Sequence, residues 1–306
     1  MNKNRRDLEY LRSRCIESLP VKYPGGSPQA ATERLNAELE ILDQTGLARL
    51  LFIASDIGRF TQAEGIFCRL VPEYCGSLLA YLLGLSDVEP LRYQLPPGPV
   101  CEPGEHGIPK LTFAVDPWHA KAVAGFVHKR CEPDMVEEKI SLPRLYIEAP
   151  TPYHLLDIAC QKPGVADGRF LFHVAFQWEL LPFLVAKVIQ RTRNLQFDLA
   201  DIPLDDEPTF ALIQQGCDLE VYPPDWDEWN LRTVQIPKAT CIEDIARTYS
   251  GSRWQMKSAK PGFLSAQAVA SAINTYQVVY LKTHFLPEFE AAIQQRWPSV
   301  QNDEEF

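Results

Sequence analysis

Residues 109–115 read Pro109-Lys110-Leu111-Thr112-Phe113-Ala114-Val115, and the apolar side chains at 111, 113 and 115 fall at the two-residue period of a half-buried β-strand. Asp116-Pro117 follows at once, a pair suited to a helix cap and a first-turn proline, so a helix is predicted from there to about Arg130. On the other side, residues 90–109 contain six prolines, with glycines at 98, 104 and 107. Such a stretch cannot form regular structure, because each proline removes a backbone donor and fixes φ. A strand entered through a proline-rich loop and left through a capped helix is compatible with an α+β arrangement.

Toward the N-terminus, 4–18 and 28–45 have helical apolar periodicity and are separated by the turn Tyr23-Pro24-Gly25-Gly26. Leu35, Leu39 and Leu42 line one face of the second, and Gly46 ends it. A further helix is predicted over 47–64, with Gly65 as its stop, and a short loop leads on to 75–84. Toward the C-terminus, strands are predicted at 145–147 and 169–176 within a mixed segment over 140–182. Asp205-Asp206-Glu207-Pro208 opens a helix over 210–215, and helices follow over 242–249, 263–284 and 287–296.

The bulk composition narrows the classes. With 306 residues and 46% hydrophobic composition, the chain can build one large core or two ordinary ones. Its longest apolar runs, 76–85 and 180–189, fall short of the roughly 20 residues that cross a bilayer. No membrane partner is expected, and the charged N-terminus reads as that of a cytoplasmic protein. A formal charge of −10 opposes indiscriminate binding to phosphate. Basic stretches at Arg5/Arg6/Arg12/Arg14, Lys187/Arg191/Arg193 and Arg253/Lys257/Lys260 read first as solvated surface. Eight cysteines, at 15, 68, 75, 101, 131, 160, 217 and 241, show no zinc-type pairing and read as buried reduced thiols. His119 and His128 lie nine apart and cannot share a helix face as i,i+4 ligands do.

Several segments, taken in order, resemble the polymerase core of the bacterial DNA polymerase III alpha subunit, the C-family replicase. ERLNAELEILDQTGLARLLFIASDIGRFTQAEGI (33–66) looks like the family's helix pair ahead of the palm. GSLLAYLLGLSDVEPLRYQL (76–95) is similar to the family's GSLVAYLLGITDIDPLRYxL. IPLDDEPTFALIQQG (202–216) resembles PLDDPKTYELLQxG, and TYQVVYLKTHFLPEF (275–289) resembles AYQTAYLKAHYPAEF of the fingers. The likeness is to a fragment, without counterparts of the family's phosphoesterase-like, DNA-binding and clamp-binding domains. It implies an α+β fold: a reduced nucleotidyltransferase-type palm, a small mixed sheet with helices, plus helical thumb- and fingers-like parts. The implied borders are 1–140 for the palm-like region, 141–200 for a divergent insert or reduced thumb, and 201–306 for the fingers-like region.

The resemblance also marks what is missing. The family carries acidic residues at alternate positions of one strand, PDIDIDF, to hold two divalent cations close together. Here those positions hold Lys110, Thr112 and Ala114. The family's phosphate loop GPGRGSAAGS corresponds to 68–77, where only Gly76-Ser77 remains and Glu73 would repel a phosphate. Near the fingers, YRPGP becomes Tyr249-Ser250-Gly251-Ser252-Arg253.

The resemblance therefore implies no catalytic residues, no cofactor, and an inactive polymerase-like protein that binds DNA or a replicative or repair polymerase assembly. Lys282, His284, Arg253 and Tyr276 are the expected contact residues. A second reading is an enzyme with a relocated metal site, for which Asp225 and Asp227 in Asp225-Trp226-Asp227-Glu228 supply an i,i+2 carboxylate pair. A third is an interaction module outside replication. Gln196-Phe197-Asp198-Leu199 faintly echoes a sliding-clamp-binding peptide.

Overall fold

The computed structural model describes residues 3–26, 28–71, 76–97, 102–103, 109–116, 118–130, 136–139, 154–160, 168–174, 177–218, 233–250 and 264–294. They belong to two compact units, Met1–Ala175 with Gln255–Ala270 and Phe176–Trp254 with Ser271–Phe306. The fold is α+β.

The first unit is built around the strand that Pro109–Val115 was expected to form, β3 below. Six described strands make one mixed sheet: β1 (Cys68–Leu70), β2 (Glu102–Pro103), β3 (Pro109–Val115), β4 (Val136–Lys139), β5 (His154–Cys160) and β6 (Gly168–Val174). The order is β1-β3-β6-β5-β4, with β2 on the β1 edge of β3. β3 and β6 run parallel, in register from Lys110↔Arg169 to Val115↔Val174, and the other pairings are antiparallel. The alternation in 109–115 predicts a strand with one wet face, but both faces are closed: Leu111, Phe113 and Val115 are buried on one side and Thr112 and Ala114 on the other. Leu111, Phe113 and Val115 belong to the core that the sheet shares with the helices of this unit, and the alternation by itself does not report the burial of the opposite face.

Helices α1 (Lys3–Lys22), α2 (Gln29–Thr45), α3 (Ala48–Ala63), α4 (Leu78–Leu82) and α5 (Ala120–Arg130) complete this unit. In α1 the buried residues Asp7, Leu11, Cys15 and Leu19 recur every four positions, one stripe of a helix. α2 and α3 end on Gly46 and Gly65 in the left-handed conformation, φ 70° and 63°, where a side chain would be strained. α3 packs against both α1 and α5 and is buried on most of its surface. Asp116 does not cap α5 directly, since the helix begins at Ala120, but closes the turn before it: its Oδ1 accepts the His119 amide at 2.9 Å, and its Oδ2 accepts the Phe67 amide at 3.2 Å, tying this turn to the sheet.

The second unit contains α6 (Gln177–Arg193), a single 3-10 turn at Leu199–Asp201, α7 (Glu207–Gln215), the two-stranded β7 (Cys217–Asp218) and β8 (Thr233–Val234), α8 (Ile242–Ser250), α9 (Ala266–His284) from Ser271 onward, and α10 (Leu286–Gln294). The sequence pattern missed α6, where Pro182 and an unbroken apolar run hide the helical period, and missed the strands β1, β2, β4, β5, β7 and β8; β2 lies within the proline-rich stretch expected to hold no regular structure, and pairs there with β3. α6 packs on α10, and Arg193 grips Glu288 with Nε–Oε1 2.7 Å and Nη2–Oε2 3.1 Å. The expected strand at 145–147 lies outside the described residues.

Cys15, Cys68 and Cys217 are buried free thiols, and burial pushes the first two up to about 12. They have no thiolate character at neutral pH. Among the described residues, no helix is long and apolar enough to cross a membrane.

Candidate functional site

Two places gather the residues of interest, one in each unit. In the first unit, the strand positions that the resemblance assigns to metal ligands are Lys110, half-buried, with Thr112 and Ala114 buried. A divalent cation needs several oxygen ligands, most of them carboxylates. One hydroxyl, one methyl and one ammonium do not supply them, so these three residues do not fit a metal pair. Among the described residues, no group of three or more His, Cys, Asp and Glu side chains is placed to hold a metal ion.

Next to that strand, the segment expected to follow the phosphate-loop pattern leads into α4. Of this segment, residues 72–75 lie outside the described residues. Arg69 bonds Asp87, Nε–Oδ2 3.1 Å. At the start of α4 the buried first-turn amides, which attract an anion, already have one. The Glu38 carboxylate, reaching from α2, accepts Leu78 N–H at 3.0 Å, Leu79 N–H at 2.9 Å and the Ser77 hydroxyl at 2.8 Å. Its charge is matched by Arg34, whose Nε donates to Glu38 Oε1 at 3.0 Å. The remaining donors of Arg34 reach the carbonyls of Leu95 at 2.7 Å, Pro96 at 3.1 Å and Gly76. Glu38 escaped the sequence reading. Its i,i+4 spacing from Arg34 was visible, but the amides that it caps lie forty residues further on.

In the second unit, three expected contact residues stand on α9 around the loop that leads into α7. Tyr276 is fully buried, and its hydroxyl accepts Asp206 N–H at 2.8 Å and donates to Pro203 C=O at 2.8 Å. It braces this loop from inside rather than presenting itself to a partner, and burial pushes its phenol up to about 12. His284 Nε2 lies 2.9 Å from Asp206 Oδ2 and its ring 4.5 Å from that of Tyr280. Asp206, one of the run expected to open this helix, also caps α7, accepting the Thr209 amide at 3.0 Å and hydroxyl at 2.6 Å. Burial alone would raise the Asp206 pKa, but the bonds from His284 and Thr209 outweigh it and hold the group below its ordinary value. Lys282 donates from Nζ to the Asp218 carbonyl and lies 5.8 Å from the centre of the Phe289 ring.

Phe197, in the clamp-like tetrapeptide, packs edge-on against Phe285 at 5.3 Å, while Asp198 caps the 3-10 turn through the Ala200 amide at 2.9 Å. Arg253, Asp225 and Asp227 lie outside the described residues.

Comparison with known proteins places part of this architecture. Residues 9–98 match the family described as bacterial DNA polymerase III alpha NTPase domain. Over 92 residues the chain is 30% identical to DNA polymerase III subunit alpha of Saccharopolyspora erythraea, which is 29% of this chain and 8% of that protein. It is 35% identical over 80 residues to the error-prone DNA polymerase of Ruegeria pomeroyi, 26% of this chain and 7% of the relative. With the error-prone DNA polymerase of Cutibacterium acnes it shares 37% identity over 89 residues, 29% of this chain and 8% of the relative. The matched part runs from α1 through α2, α3, β1 and α4, and includes Arg34, Glu38 and Ser77; β3 and the whole second unit lie outside it. Over residues 9–98 the chain is thus polymerase III alpha-like, a relative of a short segment of the bacterial replicative and error-prone polymerases.

Proposed function

We propose that this chain is a polymerase III alpha-like protein without polymerase catalysis, which acts in the cytoplasm by binding DNA or the proteins of a replicative or repair polymerase assembly. The observation that carries this reading is β3: Lys110, Thr112 and Ala114 stand where the family resemblance calls for metal-binding acids, and Thr112 and Ala114 are closed off from solvent. On this reading 1–140 is palm-like, 141–200 a reduced thumb or insert and 201–306 fingers-like, with Lys282, His284 and Arg253 as contact residues and Tyr276 as their support.

The test is primer extension by the full chain with Mg²⁺ or Mn²⁺, beside binding of labelled DNA and affinity capture of replication and repair proteins from the native cell. The expected result is no incorporation, together with retention of DNA or of those proteins. Metal-dependent extension that disappears when one carboxylate of this chain is replaced would overturn the reading.

A further inference from the structure

The formal charge of −10 is unevenly spread. Helices α1, α3 and α5 hold eleven Lys and Arg residues against four Asp and Glu, and they pack side by side, α1 on α3 and α3 on α5. Along their seam runs a line of guanidinium and aromatic groups. Arg49 lies 5.0 Å from the centre of the Phe52 ring and 3.5 Å from Asp7 Oδ1. Phe52 meets Tyr10 edge-on at 4.9 Å, and the Tyr10 hydroxyl accepts from Arg59 Nη1 at 2.8 Å. Asp56 then joins Arg59, at 3.4 Å, to Arg130, at 3.6 Å. Arg130 lies 5.1 Å from the centre of the Phe126 ring, which stacks on Phe60 at 4.3 Å.

The arrangement turns positive charge outward. The Asp7 and Asp56 side chains are each 6% exposed, whereas those of Arg59 and Arg130 are 55% and 49% exposed. The acids anchor the guanidiniums from beneath and leave their outer edges in solvent. Arg49 and Arg59 are ten residues apart on α3, about 15 Å along a helix axis. Arg6, exposed, sits one turn from Tyr10 on α1, and Lys129, exposed, precedes Arg130.

We propose that this seam is a docking surface for the phosphate backbone of duplex DNA. The proposal rests on the DNA-binding reading above and gives it a surface. Two features favour a duplex over a single strand. A duplex presents about one charge per 1.7 Å, the denser target for a row of cations. The Phe52 and Phe126 rings each have a guanidinium against them, whereas single-strand binding relies on open rings for base stacking. Contacts of this kind position DNA without reading its sequence.

The experiment is anisotropy of a short labelled duplex titrated with the full chain over a range of salt concentrations. Binding is expected to weaken steeply with salt. Replacing Arg59→Gln together with Arg130→Gln should reduce the slope of log K against log salt by about two, one for each lost phosphate contact. That pair leaves Asp56 buried without its two guanidiniums, so Arg6→Glu with Lys129→Glu, both at exposed positions, gives the same reading if the first protein fails to fold. Lys238→Glu, an exposed position in the second unit, should leave affinity within about twofold of the parent.

Duplex binding with an unchanged salt slope in both double variants would overturn the surface while leaving the DNA-binding reading in place. Tighter binding of single strands than of duplex, or preference for an acidic polypeptide over DNA, would also overturn it. Primer extension by the chain would remove the reading of lost catalysis and leave the surface standing. No DNA binding even at low salt would remove the surface and the DNA arm of that reading together.

Discussion

The Glu38 carboxylate on α2 accepts the Leu78 amide of α4 at 3.0 Å, and with it the Leu79 amide at 2.9 Å, so that one buried side chain closes a helix start forty residues away. Its side chain is 3% exposed and that of its partner Arg34 is 10% exposed. Glu38→Ala leaves the guanidinium and two amides without their acceptor. The expected loss is about 3–5 kcal/mol, the usual cost of breaking a buried pair from one side. Glu38→Gln keeps the shape and part of the bonding, and should cost less. Hydrogen exchange of the Leu78 and Leu79 amides measures both; unchanged protection in Glu38→Ala would contradict the role given to this residue.

Returning acids to β3 should not return synthesis. In the double variant Lys110→Asp with Thr112→Asp, position 112 is only 9% exposed and sits beside no described cation site, so a carboxylate there is desolvated without a counter-charge. The expected outcome is a less stable protein that incorporates no nucleotide. Detectable, metal-dependent incorporation by the purified variant would refute this.

Tyr276 offers a cleaner test of the second unit. Tyr276→Phe keeps the ring against Phe210, 5.0 Å away, but strands Asp206 N–H and Pro203 C=O, each bonded to the hydroxyl at 2.8 Å. The expected destabilisation is about 0.5–1.5 kcal/mol, the net worth of a hydrogen bond whose backbone partners water can partly reach. It should appear as faster exchange of the amides around 206–209, with little change elsewhere in the chain.

Acid should loosen the second unit through three carboxylates whose pKa values lie below the ordinary ones. For Glu288 the cause is the bond from Arg193, and for Asp244 chiefly the Thr240 amide. Asp206 is lowered by His284 and Thr209 against the opposing pull of burial. A carboxyl held lower in the folded than in the unfolded chain adds stability that is complete above its unfolded value. Those ordinary values are 4.5 for Glu and 3.8 for Asp, so the contribution is present at neutral pH and drains away as pH falls below them through the folded values. Near-ultraviolet circular dichroism across the acid range should show this loss, and Arg193→Ala should reduce its size.

The parts of the fold legible in the sequence were those specified by neighbours in the chain. The left-handed stops at Gly46 and Gly65, the helix opening at Asp206, and the period of α2 are local signals, and the structure carries each of them. What escaped was specified at a distance. β1 is three residues long and becomes a strand only through pairing with β3, so no window of sequence around 68–70 announces it. α6 is buried on several sides, which erases the polar stripe that reveals a helix. Nothing in the residues around Glu38 and Asp56 announces that both are buried. Their burial depends on partners from α4 and α5, far along the chain.

β1 lies inside the segment related to the polymerases, yet its partner positions, Phe113, Ala114 and Val115, lie beyond it. The matched segment is therefore not closed as a folding unit. Residues 9–98 on their own would carry a raw strand edge with apolar Cys68 and Leu70 uncovered, an invitation to pair with other chains.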